Sequence, residues 1–312
     1  MVRGRAGLSA TGASLRRLFG GPDLTEGDHT ETVFLAGSGR SGTTWLSDLI
    51  NHDSGYRQIF EPFHPRKVGD FHSFGSKQYL RPGNRREEFL EPARRAVTGE
   101  LRSRWTDRGG APGSGRRLVK DIRANLLLGW LAENFPGMPI VLLMRHPCAV
   151  VSSRLALGWR DNLDETMAQS ELVEDHLLPV EGRIRDASDP FERHLFLWCI
   201  ENHVPLRQFP PGSIHLCFYE SLLLDPEPEL RRLFASLGRD FDDEVLQKLG
   251  RPSFTSRRGS RPSVDGWRSR VGGEQARAGK VLGLFGLDRI YGPGNLPDPA
   301  GALALMGAGT RG

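Results

Sequence analysis

Short apolar runs alternate with segments of helical spacing over most of the chain. The runs are Val33-Phe34-Leu35-Ala36, Ile59-Phe60, Leu118-Val119, Pro139-Ile140-Val141-Leu142-Leu143-Met144 and Ser213-Ile214-His215-Leu216-Cys217-Phe218. Each is too short for a buried helix and is bounded by turn residues, which predicts strands. Helical spacing follows at Trp45, Leu46, Leu49 and Ile50, from Asn125 to Phe135, after Pro147, from Phe191 to Phe209, and up to Gly238. An Arg/Glu-rich stretch near 86–104 predicts one more helix. Pro136-Gly137 stops the helix before it, and Pro147 suits the first helical position. Alternation of this kind predicts an α/β class: three layers, a mainly parallel sheet, helices on both faces. Ligands of such folds gather at the C-terminal ends of the strands. Residues 1–30 are rich in Gly, Arg, Ser and Ala with little periodicity, and are expected to be mostly disordered. Residues 293–312 read as a flexible tail, which leaves one domain over 31–292.

Composition changes this picture little. Formal net charge is +4, spread along the chain, which suits an anionic substrate and does not imply a nucleic-acid polymer. Of 42 basic residues only Lys67, Lys77, Lys120, Lys248 and Lys280 are lysine, so any single arginine is weak evidence. Cys148, Cys199 and Cys217 lie in apolar contexts without C-x-x-C spacing, and the nine histidines show no metal-ligand spacing. No apolar run is long enough for a membrane span, and a soluble, cytoplasmic protein is expected.

The chemistry concentrates after the first strand. Gly37-Ser38-Gly39-Arg40-Ser41-Gly42-Thr43-Thr44 is a glycine-rich turn that feeds a helix. Free N–H groups and the helix dipole make such a junction an anion site. Gly37, Gly42 and Thr44 fit the Walker A pattern, but Thr43 stands where its lysine belongs. Arg40 is the only cation of the loop. A glycine turn without a ligand is the alternative reading.

Later groups follow strand ends. Glu61 precedes Pro62 just beyond Ile59-Phe60, where α/β folds place catalytic groups; pairing with a nearby arginine is the other reading. His64 lies three residues on. Lys120 ends the third strand, with Arg123 as the rival cation. Arg145 closes the fourth, and Ser153 lies about two turns into the next helix, so a charged fork and a hydroxyl can converge on one phosphate. Tyr219 follows the last strand, placed to bind a base or to cap the sheet.

These residues, in this order, resemble the sulfotransferases that use 3′-phosphoadenosine-5′-phosphosulfate (PAPS). GSGRSGTTWL at 37–46 is similar to their 5′-phosphosulfate loop, with Arg at position 40 as in many carbohydrate-type members, where cytosolic members carry Lys. Arg145-His146-Pro147 through Ser153 resembles their 3′-phosphate motif R-x-P-x-x-x-x-x-S. Tyr219-Glu220-Ser221-Leu222 resembles their Y-E-x-L segment, and Arg257-Arg258-Gly259 with Gly266-Trp267 loosely resembles the loop that closes over the 3′-phosphate. The resemblance implies a P-loop-like sulfotransferase fold and sulfuryl transfer to an acceptor hydroxyl or amine. It leaves adenosine 3′,5′-bisphosphate as product and requires no metal. The nucleotide would be held by Gly39, Arg40, Ser41, Gly42, Thr43, Thr44, Trp45, Arg145, Ser153, Tyr219, Arg257, Arg258 and Gly259. Arg40 and Lys120 would act on the leaving oxygen, with Glu61 as first choice of base and His64 as second. A small molecule or a carbohydrate would be the acceptor, selected by loops such as 62–116 and 157–190. A P-loop-like kinase or nucleotide hydrolase, or a nucleotide-binding module without catalysis, is the alternative.

Overall fold

The computed structural model describes residues 27–108, 115–255 and 263–307. Five parallel strands form its sheet, in the order β2-β3-β1-β4-β5. The strands and longer helices are β1 (Thr32–Gly37), α1 (Thr43–Ile50), β2 (Arg57–Phe60), α2 (Glu87–Val97), β3 (Arg117–Asp121), α3 (Leu128–Asn134), β4 (Ile140–Met144), α4 (Pro147–Ala156), α5 (Pro190–Gln208), β5 (His215–Phe218), α6 (Pro226–Ser236), α7 (Gln275–Leu284) and α8 (Pro299–Leu305). β1 is central and buried along its whole length. Its alternate side chains enter two cores. Val33 and Leu35 pack with Leu46, Leu49 and Ile50 of α1 and with Leu230, Leu233 and Phe234 of α6. Phe34 and Ala36 face the opposite side, with Val150 of α4, Phe196 of α5 and Leu282 of α7. That is the expected three-layer arrangement. Leu46, Leu49 and Ile50 are at most 1% exposed, and each such side chain contributes about 1.5–3 kcal/mol by leaving water.

Strand order places the site. The chain leaves β1 toward β3 and β2, then returns past β1 to β4 and β5. A crevice opens where the winding reverses, beyond the C-terminal ends of the strands. β1 ends there in the glycine loop, flanked by the exits of β3 and β4.

Three expectations need correction. The Arg/Glu-rich helix ends at Val97, short of 104, because Gly99 turns the chain with φ +80°. The helix expected from Asn125 starts as a 3-10 turn, Asn125–Leu127, and becomes α-helical at Leu128. The stretch read as a flexible tail holds α8: Asp298 caps it, Pro299 opens it, and Ala302, Leu305 and Met306 are buried. The Pro/Gly density of 293–301 masked a short amphipathic turn. The N-terminal expectation falls almost wholly outside the described residues. Within them, Asp28 caps a 3-10 turn over His29–Glu31. Among the described residues no helix is long and apolar enough to cross a membrane.

Candidate active site

Among the described residues, three that are not glycine have positive φ: Arg40 (82°), Ser54 (58°) and Glu61 (43°). Such a conformation costs roughly 1–3 kcal/mol and persists only where the surroundings impose it. Arg40 and Glu61 line one cavity of about 550 Å³ at the C-terminal ends of the strands.

The donor side is the loop after β1. Gly42 takes φ +102° and gives α1 no side-chain cap. Thr43, Thr44 and Trp45 follow it as the first turn and line the cavity. N–H groups at an uncapped helix start favour an anion. A Cβ on Gly42 would lie 2.7 Å from the Tyr219 ring, so only glycine admits that tyrosine. A Cβ on Gly39 would lie 2.8 Å from the Trp159 indole. Gly39 and Ser41 are not among the cavity's lining residues. The Gly39 carbonyl accepts from Arg154 Nε at 3.1 Å, and the Ser41 hydroxyl is buried without a partner.

Arg40 donates from Nε to Ser153 Oγ (3.0 Å) and from Nη1 to the Thr255 carbonyl (3.1 Å). Burial, and then neighbouring Arg145, lower its pKa from the usual arginine value. Arg145 donates from Nη1 to the Arg40 carbonyl (3.2 Å) and from Nη2 to the Ser263 carbonyl (3.3 Å), and stands 4.1 Å above the Tyr219 ring. Its Nε is buried with no partner. Arg145 and Ser153 therefore meet through Arg40, one at its backbone and the other at its guanidinium, and both line the cavity. An orphaned charged donor is costly, and an anionic ligand would satisfy it. Trp45 donates from Nε1 to the Leu249 carbonyl (3.0 Å), and its ring meets Tyr219 edge-on at 5.4 Å. Trp267 stacks on His146, with ring centroids 4.4 Å apart, and lines the cavity too. Arg257, Arg258 and Gly259 lie outside the described residues.

The acceptor side centres on Glu61. Lys120 Nζ lies 2.6 Å from its Oε1 and Arg123 Nη1 2.7 Å from its Oε2. Both rival cations thus reach the same carboxylate. Burial works to raise the Glu61 pKa, but Lys120 and then Arg123 outweigh it and hold the carboxyl below the ordinary glutamate value. Glu61 is also pinned by its backbone. Its N–H donates to the Lys120 carbonyl (2.7 Å), and its carbonyl accepts from Trp105 Nε1 (3.1 Å). Asp121, fully buried, accepts from the N–H groups of Phe63 (2.9 Å) and Arg123 (2.6 Å) and so fixes the turns on either side. His64 does not line the cavity. Its ring packs edge-on against Trp105 at 5.2 Å, and burial and Arg123 lower its pKa to about 4.

Among the described residues six cations, Arg40, Arg108, Lys120, Arg123, Arg145 and Arg270, line the cavity against one carboxylate, Glu61. That excess favours a polyanionic ligand. Sequence reasoning missed Asp121, Arg154 and Trp105. Only Arg154 carried a local signal, because it follows Ser153 directly.

No curated protein matches the sequence. Solved structures that align with the chain include the sulfotransferase domain from the olefin synthase of Synechococcus PCC 7002, at 19% identity over 76% of this chain and 87% of that one, TM-score 0.45. A sulfotransferase from Alicyclobacillus acidocaldarius aligns at 17% identity over 82% of this chain and 93% of that one, TM-score 0.42. A mouse sulfotransferase complexed with PAP aligns at 17% identity over 76% and 67%, TM-score 0.40. The family model described as "Sulfotransferase family" matches residues 32–243, which span the strands, the glycine loop, Glu61, Lys120, Arg145 and Ser153, and the chain belongs to that family.

Proposed function

We propose that the cavity carries out in-line transfer of a sulfuryl group from PAPS to an acceptor hydroxyl. The observation that carries this reading is the pairing of Arg40 and Glu61 across one cavity, both in a strained left-handed conformation. The S–O bond to the nucleotide breaks while an S–O bond to the acceptor forms. Negative charge develops on the leaving bridging oxygen, and the acceptor loses a proton. Arg40 and the N–H groups at the start of α1 suit the first demand, and Glu61 suits the second. Lys120 keeps Glu61 ionised and lies on the same wall. Arg145, with an unpaired Nε, and Ser153 are suited to the 3′-phosphate. Thr43 in place of the Walker A lysine argues against an ATP-dependent kinase or hydrolase.

The acceptor half favours a small molecule with an apolar ring over a carbohydrate chain. Leu157, Trp159 and Phe254 are large, exposed (46%, 39% and 61%), and rim the cavity. Phe60 and Trp105 continue that surface inward, with ring centroids 5.6 Å apart. An exposed apolar rim at a cleft marks a binding surface.

The test is thermal denaturation with nucleotides. Adenosine 3′,5′-bisphosphate should raise the melting temperature well beyond the shift that AMP gives at equal concentration, because only the bisphosphate reaches Arg145 and Ser153. Equal shifts would sink the assignment. Arg145→Ala should weaken the bisphosphate by about 1.5–3 kcal/mol, the range for a charged hydrogen bond, and leave AMP affinity nearly unchanged.

A further inference from the structure

Behind the glycine loop lies a set of charges that the transfer step does not touch. Glu201 of α5 is 1% exposed. Lys77 Nζ lies 2.9 Å from its Oε1, and Arg154 Nη2 lies 2.8 Å from its Oε2. Burial works to raise the Glu201 carboxyl, but Arg154 and Lys77 hold it down at about 2, so it is ionised at neutral pH. A buried ionic cluster of this kind is poor evidence for stability, since apolar residues of similar volume often serve as well or better. Its retention calls for another role.

Each arm of the cluster grips the backbone of the active site. Arg154 Nε donates to the Gly39 carbonyl at 3.1 Å. That carbonyl belongs to the peptide plane entering Arg40, so holding it sets the φ of +82° with which Arg40 leaves the loop. Lys77 Nζ donates to the Ile122 carbonyl at 2.6 Å. That carbonyl belongs to the peptide plane entering Arg123, whose guanidinium holds Glu61. Asn202, beside Glu201, donates to Ser38 Oγ at 3.1 Å and braces the glycine loop a second time. Asn125 fixes the hub itself, donating to the Glu201 carbonyl at 3.0 Å.

We propose that Glu201, acting through Arg154 and Lys77, is a positioning residue that holds Arg40 and Glu61 in register across the cavity, a role that rests on the sulfuryl-transfer reading. One buried carboxylate then ties the donor loop to the acceptor base. Donor and acceptor must be aligned for in-line transfer, and small misplacements of reacting groups are costly in rate.

The experiment is a double-mutant cycle between Glu201→Gln and Arg40→Ala, read as kcat with PAPS and as affinity for adenosine 3′,5′-bisphosphate. Glu201→Gln alone should lower kcat by about 10–100-fold, the usual cost of losing an outer supporting partner, and change bisphosphate affinity little. In the Arg40→Ala background the same substitution should cost less, because one of the two groups it positions is already gone. An equal loss in both backgrounds would mark Glu201 as merely structural and overturn the proposal. Arg154→Lys is the second variant if Glu201→Gln fails to fold. Arginine meets Gly39 through Nε and Glu201 through Nη2 of one rigid plane. A lysine puts a single flexible ammonium in place of that fork and cannot hold both acceptors in the same geometry, so kcat should again fall. Amide hydrogen exchange separates this idea from the transfer reading. If the native protein neither transfers sulfuryl nor binds the bisphosphate, the transfer reading fails. The clamp is then judged on exchange at residues 38–42. Those amides should exchange about tenfold faster in either variant while those of β4 do not, a local opening. No change, or a uniform rise across the chain, overturns the clamp.

Discussion

Replacing Glu61 by Gln should remove most sulfuryl transfer while adenosine 3′,5′-bisphosphate still binds. The amide keeps the size of the side chain and one acceptor oxygen but cannot take a proton. A positioned base contributes about 10²–10⁴-fold, and a kcat loss in that range is expected. A carboxylate has about four lone-pair sites, and Lys120 and Arg123 occupy one on each oxygen. The acceptor hydroxyl would use another, within reach of the loop that carries Arg40. The cations also set the pH behaviour. Because they depress the Glu61 pKa below the ordinary 4.5, the acid limb of kcat should fall below that value rather than near neutrality. The same shift carries a sign for stability. A carboxyl whose pKa is lowered on folding stabilises the protein above its unfolded pKa and loses that contribution as pH falls through the folded one. Breaking a buried pair costs about 3–5 kcal/mol, an upper bound here since the amide oxygen still accepts. The melting-temperature gap between native protein and Glu61→Gln should therefore be widest near neutrality and narrow below pH 4.5. Wild-type turnover in the variant would remove Glu61 from the mechanism. His64→Asn would then be the substitution to measure, although His64 packs on Trp105 outside the cavity lining.

What the sequence revealed depended on how local each signal was. The loop was legible because its glycines, Arg40 and the following helix lie within ten residues. Glu61 was legible as a carboxylate before a proline at a strand end, and Lys120 as a charge ending an apolar run. Neither pattern contained the relation between them. Glu61 and Lys120 are 59 residues apart, and parallel pairing of β2 with β3 brings them to the same edge. The cluster around Glu201 was invisible for the same reason. Lys77 lies in the stretch 66–116, which has little periodicity, while Arg154 and Glu201 read as ordinary members of two helices. The backbone strain at Arg40 and Glu61 was invisible as well, since nothing in Arg or in Glu-Pro demands φ above zero. Where local signals conflicted with packing, packing won. Residues 293–301 carry the Pro and Gly of a tail, yet α8 buries Ala302, Leu305 and Met306.

Arg40→Ala should lower turnover far more than nucleotide affinity. A donor aimed at charge that develops only during transfer contributes to the transition state and little to the ground state. Loss of one such donor costs about 10²–10³-fold in kcat, whereas bisphosphate binding retains Arg145 and the N–H groups of α1. The backbone makes the comparison clean. Arg40 has φ +82°, and alanine pays the same left-handed penalty as arginine, so the strain is unchanged. Arg40→Gly separates the two effects further. It relieves roughly 1–2 kcal/mol of strain and should melt no lower than Arg40→Ala, yet be equally slow. Arg40→Lys restores a charge without the planar fork that reaches both Ser153 and the Thr255 carbonyl. It should recover part of the rate, and a lysine free of Ser153 should leave that hydroxyl to the nucleotide. If Arg40→Ala turned over normally but bound the bisphosphate poorly, Arg40 would be a binding residue, and the charge on the leaving oxygen would fall to the α1 N–H groups and Lys120.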